Sequence, residues 1–172
     1  MPKSAIGALF TAIAASCVFA GSAHAQAPFF GTWKLNVERS VYNPGPRAPA
    51  DFVQYYQFED LGNGQLRFIL TAGPGAAGNL GLQVSVFRID GQQHPVYQVP
   101  AITELIDSGE TTNLTRSYRQ INETTVEFTT YNDGVAGPGA TLVRQMLAGG
   151  NSFMQRPPDG GTGNVLVFDR VR

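Results

Sequence analysis

Short β-type runs separated by Gly, Asn and Asp turns constrain the fold of this chain more than any other feature. Residues 52–58 alternate between the two faces of an extended strand, with the aromatic side chains of Phe52, Tyr56 and Phe58 on one face. Gly62-Asn63-Gly64 follows, and residues 66–70 alternate again after it. Two alternating runs around such a turn predict a β-hairpin.

The same pattern predicts strands along most of the remaining chain, and no helical periodicity appears beyond residue 25. Short strands joined mainly by tight turns favour an all-β, antiparallel meander. Closing this meander into an up-and-down barrel of about eight to ten strands removes its exposed edges. A β-sandwich is the alternative. The further predicted strands are Leu82–Ile89, Pro95–Val99, Ile102–Ile106, Thr112–Ile121, Thr125–Tyr131, Thr141–Leu147 and Val165–Val171.

The N-terminal residues carry a targeting pattern. Met1–Lys3 is a short basic start, and Ala5–Ala20 carries no charge. The apolar run is shorter than the roughly 20 residues of a membrane-spanning helix, and small, polar residues follow it. Ala23-His24-Ala25 fits the small-x-small pattern of a signal-peptidase site. We therefore expect residues 1–25 to be a cleavable signal peptide, with the mature protein periplasmic or secreted.

Cys17 offers an alternative, since Ala14–Cys17 loosely resembles a lipobox and would anchor a lipoprotein through this cysteine. A lipobox usually opens with Leu, and here the apolar run continues past the cysteine, so we prefer the cleavable signal. Cleavage after Ala25 would remove the sole cysteine, and with it disulfide and thiol chemistry.

The expected mature chain, residues 26–172, is long enough for one domain that buries roughly two-thirds of its unfolded surface. Its charge argues against nucleic acid as a partner. The formal net charge is −1 and falls further if Lys3 is removed, whereas phosphate binding requires clustered positive charge. The mature sequence contains no second apolar segment, so we expect no membrane span.

The start and end of the expected domain carry a recognisable motif. Gly31-Thr32-Trp33-Lys34-Leu35-Asn36 opens it, Pro44-Gly45-Pro46 follows, and Phe168-Asp169-Arg170 lies in the last predicted strand. This resembles a group of secreted, largely uncharacterised bacterial lipocalin-like proteins that begin with GTWKLN, although Arg39 stands where the group commonly has Lys. The resemblance implies a lipocalin-like barrel over residues 26–172. It further implies that Trp33 closes one barrel end and that Arg170 lies across the indole.

Five residues are candidates for a ligand site. Arg116 and Tyr118 are two positions apart in a predicted strand and therefore share one face. If this face lines the barrel interior, a guanidinium and a phenol can hold a carboxylate together, much as Arg-x-Tyr pairs do in intracellular fatty-acid-binding barrels. The alternative is an outward Arg116 paired with a surface acid. Arg144, flanked by Leu142 and Met146, has the same two interpretations, as does Arg88. Tyr56 and Phe68 are expected to line the site.

Candidates for catalysis are weaker. His94 is the only histidine expected in the mature protein, which excludes His-rich metal sites and leaves one imidazole base, oriented by Asp90 or Glu104. A surface loop position is the simpler interpretation of this histidine. Glu104 and Tyr118 are the other acid–base candidates. No acidic cluster suggests calcium, so we expect no metal and no cofactor.

The sequence supports three functions. The first is extracytoplasmic binding of a small apolar or amphipathic molecule without catalysis. The second is a cofactor-free isomerase, cyclase or lyase acting inside the barrel. The third is an envelope-associated interaction protein that uses the Gly/Pro-rich loops. Periodicity does not determine whether the barrel is filled or open, nor the oligomeric state.

Overall fold

A computed structural model describes residues 27–74, 81–99, 114–132 and 137–172. These ranges form ten β-strands and two short 3₁₀ turns, at Ala27–Phe29 and Pro158–Gly160. The predicted all-β class is confirmed. The strands are β1 (Gly31–Val41), β2 (Val53–Gly62), β3 (Gln65–Gly73), β4 (Gly81–Phe87), β5 (His94–Val99), β6 (Leu114–Asn122), β7 (Thr125–Asn132), β8 (Thr141–Met146), β9 (Ser152–Arg156) and β10 (Val165–Arg170).

Each strand pairs antiparallel with its neighbours in sequence, and β1 pairs with both β2 and β10. The order therefore closes into one barrel, which decides against the β-sandwich. The hairpin around Gly62-Asn63-Gly64 is confirmed, since Phe58 pairs with Phe68 and Tyr56 with Leu70. Asn63 adopts a φ of 53°, a turn conformation that Asn tolerates better than most residues.

The two ends of the barrel differ because antiparallel strands place alternate connections at opposite ends. The connections β2–β3, β4–β5, β6–β7 and β8–β9 contain two to six residues and share the end where β1 begins, which we call the turn end. Residues 42–52, between β1 and β2, and residues 157–164, between β9 and β10, connect strands at the opposite end, the loop end.

Aromatic side chains dominate the interior near the turn end. Period-two alternation directs them inward from almost every strand, and several pack edge-to-face, as Trp33 does against Phe153 with ring centroids 5.0 Å apart. Burial of this apolar surface is the main stabilising contribution to the barrel. The cluster contains Phe29, Trp33, Leu35, Tyr56, Phe58, Leu66, Phe68, Phe87, Tyr118, Val126, Phe128, Met146, Phe153 and Phe168.

Two strands have no counterpart among those predicted from periodicity. β1 alternates cleanly only to Val37, and charged and polar residues then break its pattern. β9 has five residues, and its inward positions are Phe153 and the polar Gln155. The predicted strand Ile102–Ile106 and the predicted signal peptide fall outside the described ranges. Within those ranges, no helix has the length and apolar character needed to cross a bilayer.

Candidate functional site

Trp33 and Arg170 meet at the turn end. They are register partners on β1 and β10, and the Arg170 guanidinium lies 4.1 Å from the centroid of the Trp33 ring. Arg170 also donates hydrogen bonds to the carbonyl oxygens of Phe30 (2.6 Å) and Pro28 (2.8 Å). The indole Nε1 donates to the carbonyl oxygen of Phe29 at 2.6 Å. Together these contacts hold the N-terminal 3₁₀ turn across the turn end.

Arg144, on β8, points into the barrel and is 1% exposed. Its Nε donates a 3.0 Å hydrogen bond to Oε1 of Gln155 on β9. Four aromatic rings surround the guanidinium, with centroid distances between 4.2 and 5.2 Å. Each such contact contributes about 0.5 to 1 kcal/mol at an exposed site and about 2 kcal/mol or more when desolvated. The rings belong to Tyr56, Phe58, Phe68 and Phe128.

Arg116, on β6, also points inward and is 8% exposed. Its Nε donates to the Thr130 hydroxyl at 3.1 Å, and its Nη2 donates to Oε1 of Gln83 at 3.3 Å. The guanidinium lies 5.4 Å from the centroid of Phe128, the ring that Arg144 also contacts. The outward orientation, which the sequence left open for Arg116 and Arg144, is therefore wrong. The side chain of Arg88, for which the sequence left the same two orientations open, is exposed.

Tyr118 is the third polar residue of this interior site. We call Arg116, Arg144 and Tyr118 together the cation cluster, a name that refers to the charges of the two arginines. Its side chain is fully buried and its ring stacks on Phe87, with centroids 3.8 Å apart. Among the described residues, the Tyr118 hydroxyl has no hydrogen-bond partner, and neither does Nη1 of Arg144. A buried polar atom without a partner typically costs about 1 to 3 kcal/mol, so both atoms favour an additional acceptor.

The charge of the cation cluster is not balanced by the described side chains. The four ion pairs within the described ranges include neither Arg116 nor Arg144. Burial lowers the pKa of Arg144, the tyrosines Tyr56 and Tyr118 raise it, and the nearby positive charge of Arg116 lowers it. Because the arginine side chain is not deprotonated in proteins, its guanidinium stays charged, and the cluster is an electrostatic site for an anion.

Tyr56 and Phe68, the other predicted ligand contacts, lie beside Arg144. Tyr56 is on β2 and Phe68 on β3, and their rings pack edge-to-face at 4.9 Å. Gln54 donates to the Tyr56 hydroxyl at 3.3 Å. The structure thus brings together all five residues predicted for ligand binding: Tyr56, Phe68, Arg116, Tyr118 and Arg144. Their role in binding remains a prediction.

Of the three catalytic candidates, the structure describes His94 and Tyr118, and Tyr118 belongs to the cation cluster. His94 lies at the start of β5 near the turn end, and its Nε2 is 3.0 Å from Oδ1 of Asp90. Burial raises the pKa of Asp90, but hydrogen bonds from His94 and the Gln92 backbone together lower it by more, so the net pKa is below its usual value. Glu104 lies outside the described ranges. Across the described part of the chain, no three His, Cys, Asp or Glu residues cluster to hold a metal.

Three polar residues of the site were missed by sequence reasoning. Gln83, Thr130 and Gln155 each accept a hydrogen bond from an arginine of the cation cluster. For Gln155, the signal was available in retrospect. Residues 149–151 form a turn after β8, so the next segment had to return antiparallel to it and direct alternate side chains inward.

These features define a class of protein, a closed, lipocalin-like antiparallel barrel whose interior holds a cation cluster. A solved structure with a similar fold is that of a variant of the fluorescent protein UnaG, with a TM-score of 0.53 and 14% sequence identity. The match covers 85% of this chain and 98% of that one. At this identity the likeness establishes the fold alone. No protein-family model and no curated protein matches the sequence.

Proposed function

We propose that the barrel binds a small amphipathic molecule through its acid group, without chemical conversion. The acid group would lie against the cation cluster, and its apolar part would extend toward the loop end. One observation carries this proposal: Nη1 of Arg144 and the hydroxyl of Tyr118 are buried donors that lack partners among the described residues. A carboxylate, sulfonate or similar oxyanion accepts hydrogen bonds from both and supplies counter-charge to the arginines.

The surroundings favour a molecule that is apolar outside its head group. Aromatic rings surround the Arg144 guanidinium, and partly buried Leu70, Leu142 and Leu166 pack against the core. Ligand pockets commonly combine apolar walls with a few placed polar groups. The barrel fold, shared with a solved protein at low identity, is compatible with this arrangement.

The cellular setting is part of the proposal. The basic start, the short apolar run and the Ala-His-Ala site support export, so we place the ligand encounter in the periplasm or outside the cell. The GTWKLN opening supports membership of the secreted lipocalin-like group. Such a protein would store, carry or sense its ligand.

A paired-ligand titration tests the proposed function. Parinaric acid and its methyl ester share one fluorescent chain and differ in the acid group. The mature protein should bind the acid at least about tenfold more tightly than the ester, since a hydrogen bond to a charged group contributes about 1.5 to 3 kcal/mol. Arg144→Met keeps a flexible apolar side chain and removes the charge, and it should abolish this preference.

Arg119→Met is the matched control. Arg119 also carries a guanidinium and lies on β6, but it faces outward and pairs with Glu127 at 2.9 Å. This variant should retain the preference for the acid. Equal binding of acid and ester by the unaltered protein would overturn the proposal, and so would a preference that persists in Arg144→Met. Turnover of the bound acid would favour the isomerase or lyase alternative.

A further inference from the structure

We propose that the head group of the ligand carries two negative charges, as in a phosphate monoester or a dicarboxylate. This inference rests on the proposed function and deepens it, because it names the kind of head group that the cation cluster accepts. Three observations support it: the closeness of the two inner arginines, the neutral groups that hold them, and the position of the acidic residues.

The two arginines of the cation cluster lie close to one another. The Arg116 guanidinium is 5.4 Å from the centroid of the Phe128 ring, and the Arg144 guanidinium is 4.2 Å from the same centroid. Their separation therefore cannot exceed the sum of these two distances. Both side chains are buried, so solvent and salt screen their charges poorly. A single head group beside Phe128 is within range of both charges.

Neutral groups hold both guanidiniums in place. Arg116 donates hydrogen bonds to the Thr130 hydroxyl and the Gln83 amide oxygen. Arg144 donates to the amide oxygen of Gln155. A hydroxyl and two amides satisfy N–H donors and fix the direction of each guanidinium, but they carry no charge. The two positive charges are therefore not compensated by these partners, and a buried charge without an opposite charge is costly.

The acidic residues of the described strands compensate other arginines. Glu59, Glu127 and Asp169 each form an ion pair with a solvent-exposed arginine. These exposed partners are Arg67, Arg119 and Arg39, respectively. The remaining acidic residues of the described strands, Glu38 and Asp60, are exposed. Within the described ranges, these three outer arginines thus have carboxylate partners, whereas the two inner arginines do not.

Charge balance favours a doubly charged head group. A carboxylate or a sulfate neutralises one of the two buried charges, whereas a phosphate monoester or a dicarboxylate neutralises both. The free donors suit an oxyanion with several acceptor oxygens, since Nη1 of Arg144 and the Tyr118 hydroxyl both lack partners among the described residues. Hydrogen bonds to an ionised acceptor are roughly twice as strong as neutral ones. The cation cluster should therefore distinguish head groups by their charge.

Phenyl phosphate and phenyl sulfate provide the test because they share a ring and a tetrahedral head group. The sulfate carries a single charge in neutral and acidic solution, whereas the phosphate gains its second charge above a pKa of about 6. In isothermal titration calorimetry at about pH 8, the unaltered protein should bind the phosphate at least about tenfold more tightly. At about pH 5 each probe carries a single charge, and the two affinities should agree within about threefold.

The ratio of the two affinities removes the effect of protein groups that titrate in the same range. His94 is the register partner of Arg116, and its Nε2 lies 3.0 Å from Oδ1 of Asp90. Protonation of this histidine strengthens the binding of either singly charged probe, so its effect cancels in the ratio. Among the described residues, the other titratable side chains that face the two arginines are the phenols of Tyr56 and Tyr118, which affect both probes alike.

Variants of Arg116 separate its charge from its place in the structure. Arg116→Gln keeps a hydrogen-bonding side chain and removes one positive charge, so at about pH 8 the preference for the phosphate should fall to within about threefold. Arg116→Lys keeps the charge and should retain the preference. Arg119→Met is the matched control, since Arg119 lies on the same strand, is exposed and pairs with Glu127. It should show the full preference.

The outcomes separate this inference from the proposed function. Equal binding of the two phenyl probes at about pH 8 would overturn the doubly charged head group and leave the proposed function intact, as would a preference that is the same at both pH values. Inorganic phosphate should bind more weakly than phenyl phosphate, and equal affinity would support the charge of the head group but contradict the apolar part of the ligand. If parinaric acid binds and neither phenyl probe does, the inference alone fails. If none of the three binds, the proposed function fails with it.

Discussion

The Arg170 guanidinium lies 4.1 Å from the centroid of the Trp33 ring and at the same time donates hydrogen bonds to two carbonyl oxygens of the N-terminal turn. Replacement by Met keeps an apolar side chain over the indole but removes the charge and both donors. We expect Arg170→Met to lower the free energy of unfolding by about 2 to 4 kcal/mol, combining the cation–π contact with the charged hydrogen bonds.

Urea unfolding followed by tryptophan fluorescence measures this loss, since Trp33 is the only tryptophan. Arg172→Met changes an exposed arginine two positions further on and should have little effect. Arg170→Lys should recover only part of the stability, because an ammonium lacks the planar fork that spans two acceptors. A midpoint for Arg170→Met equal to that of Arg172→Met would contradict the assigned role.

Gly31 is required by the same arrangement. Its φ is +112°, which side-chain-bearing residues rarely adopt, and an added Cβ would lie 3.0 Å from Nη1 of Arg170. Gly31→Ala should therefore cost about 1 to 3 kcal/mol of stability through backbone strain and displacement of the guanidinium. Gly81→Ala is the control, since its φ is ordinary and its nearest neighbour would be 3.8 Å away. Thermal unfolding of the two variants should differ clearly, and coinciding transitions would refute the argument.

Much of the barrel could be predicted because its strands are half-buried and alternate strictly. The β2–β3 hairpin has apolar side chains at every second position and a turn that only one register satisfies, so both the strands and their pairing were readable. β9 lacks an apolar alternation because the polar Gln155 occupies an inward position, so only the turn at residues 149–151 indicates a returning strand. The hydrogen-bond partner of the buried Gln155 side chain is Arg144, a residue eleven positions away. Local patterns do not contain that relationship.

The candidate site was only partly predictable for a related reason. Spacing established that Arg116 and Tyr118 share one face, but it left open which face is inside. The choice depends on the closed strand order, which places β6 beside β7 and directs both side chains toward Phe128.

The stability of the barrel should depend on pH through Asp169. Burial raises the pKa of this carboxyl. Hydrogen bonds from Asn36 and Ser152 and the charge of Arg39 together lower it by more, so the net pKa is below its usual value. A lowered pKa in the folded state stabilises the protein above the unfolded value of about 3.9, and this contribution is lost as the pH falls through the folded pKa. Asp169→Asn should therefore be less stable at neutral pH, with the difference shrinking below about pH 4.

The neutral-pH difference should be about 1 kcal/mol, since 38% of the Asp169 side chain is exposed and solvent screens its ion pair. Urea midpoints measured across the acidic range provide the comparison. Glu123→Gln removes the same formal charge from an exposed turn and controls for net charge. A difference between Asp169→Asn and the unaltered protein that is constant down to the acid transition would rule out this linkage.

Removal of the Tyr118 hydroxyl should affect stability and binding in opposite directions. In the described part of the chain this buried hydroxyl has no partner, so Tyr118→Phe removes a desolvation cost while keeping the ring stacked on Phe87. The ligand-free variant should be at least as stable as the unaltered protein. Its affinity for parinaric acid should fall about tenfold or more, because the acid loses a hydrogen-bond donor.

Tyr131→Phe separates this effect from a general response to losing a phenol. Tyr131 lies on the neighbouring strand β7, and its hydroxyl is 3.4 Å from the Ser117 hydroxyl, on the face of β6 opposite Tyr118. The affinity for parinaric acid should not change in this variant. Fluorescence titration and urea unfolding of both variants give the two quantities. A Tyr118→Phe protein that is less stable but binds the acid normally would mean that the hydroxyl serves the fold instead of the ligand.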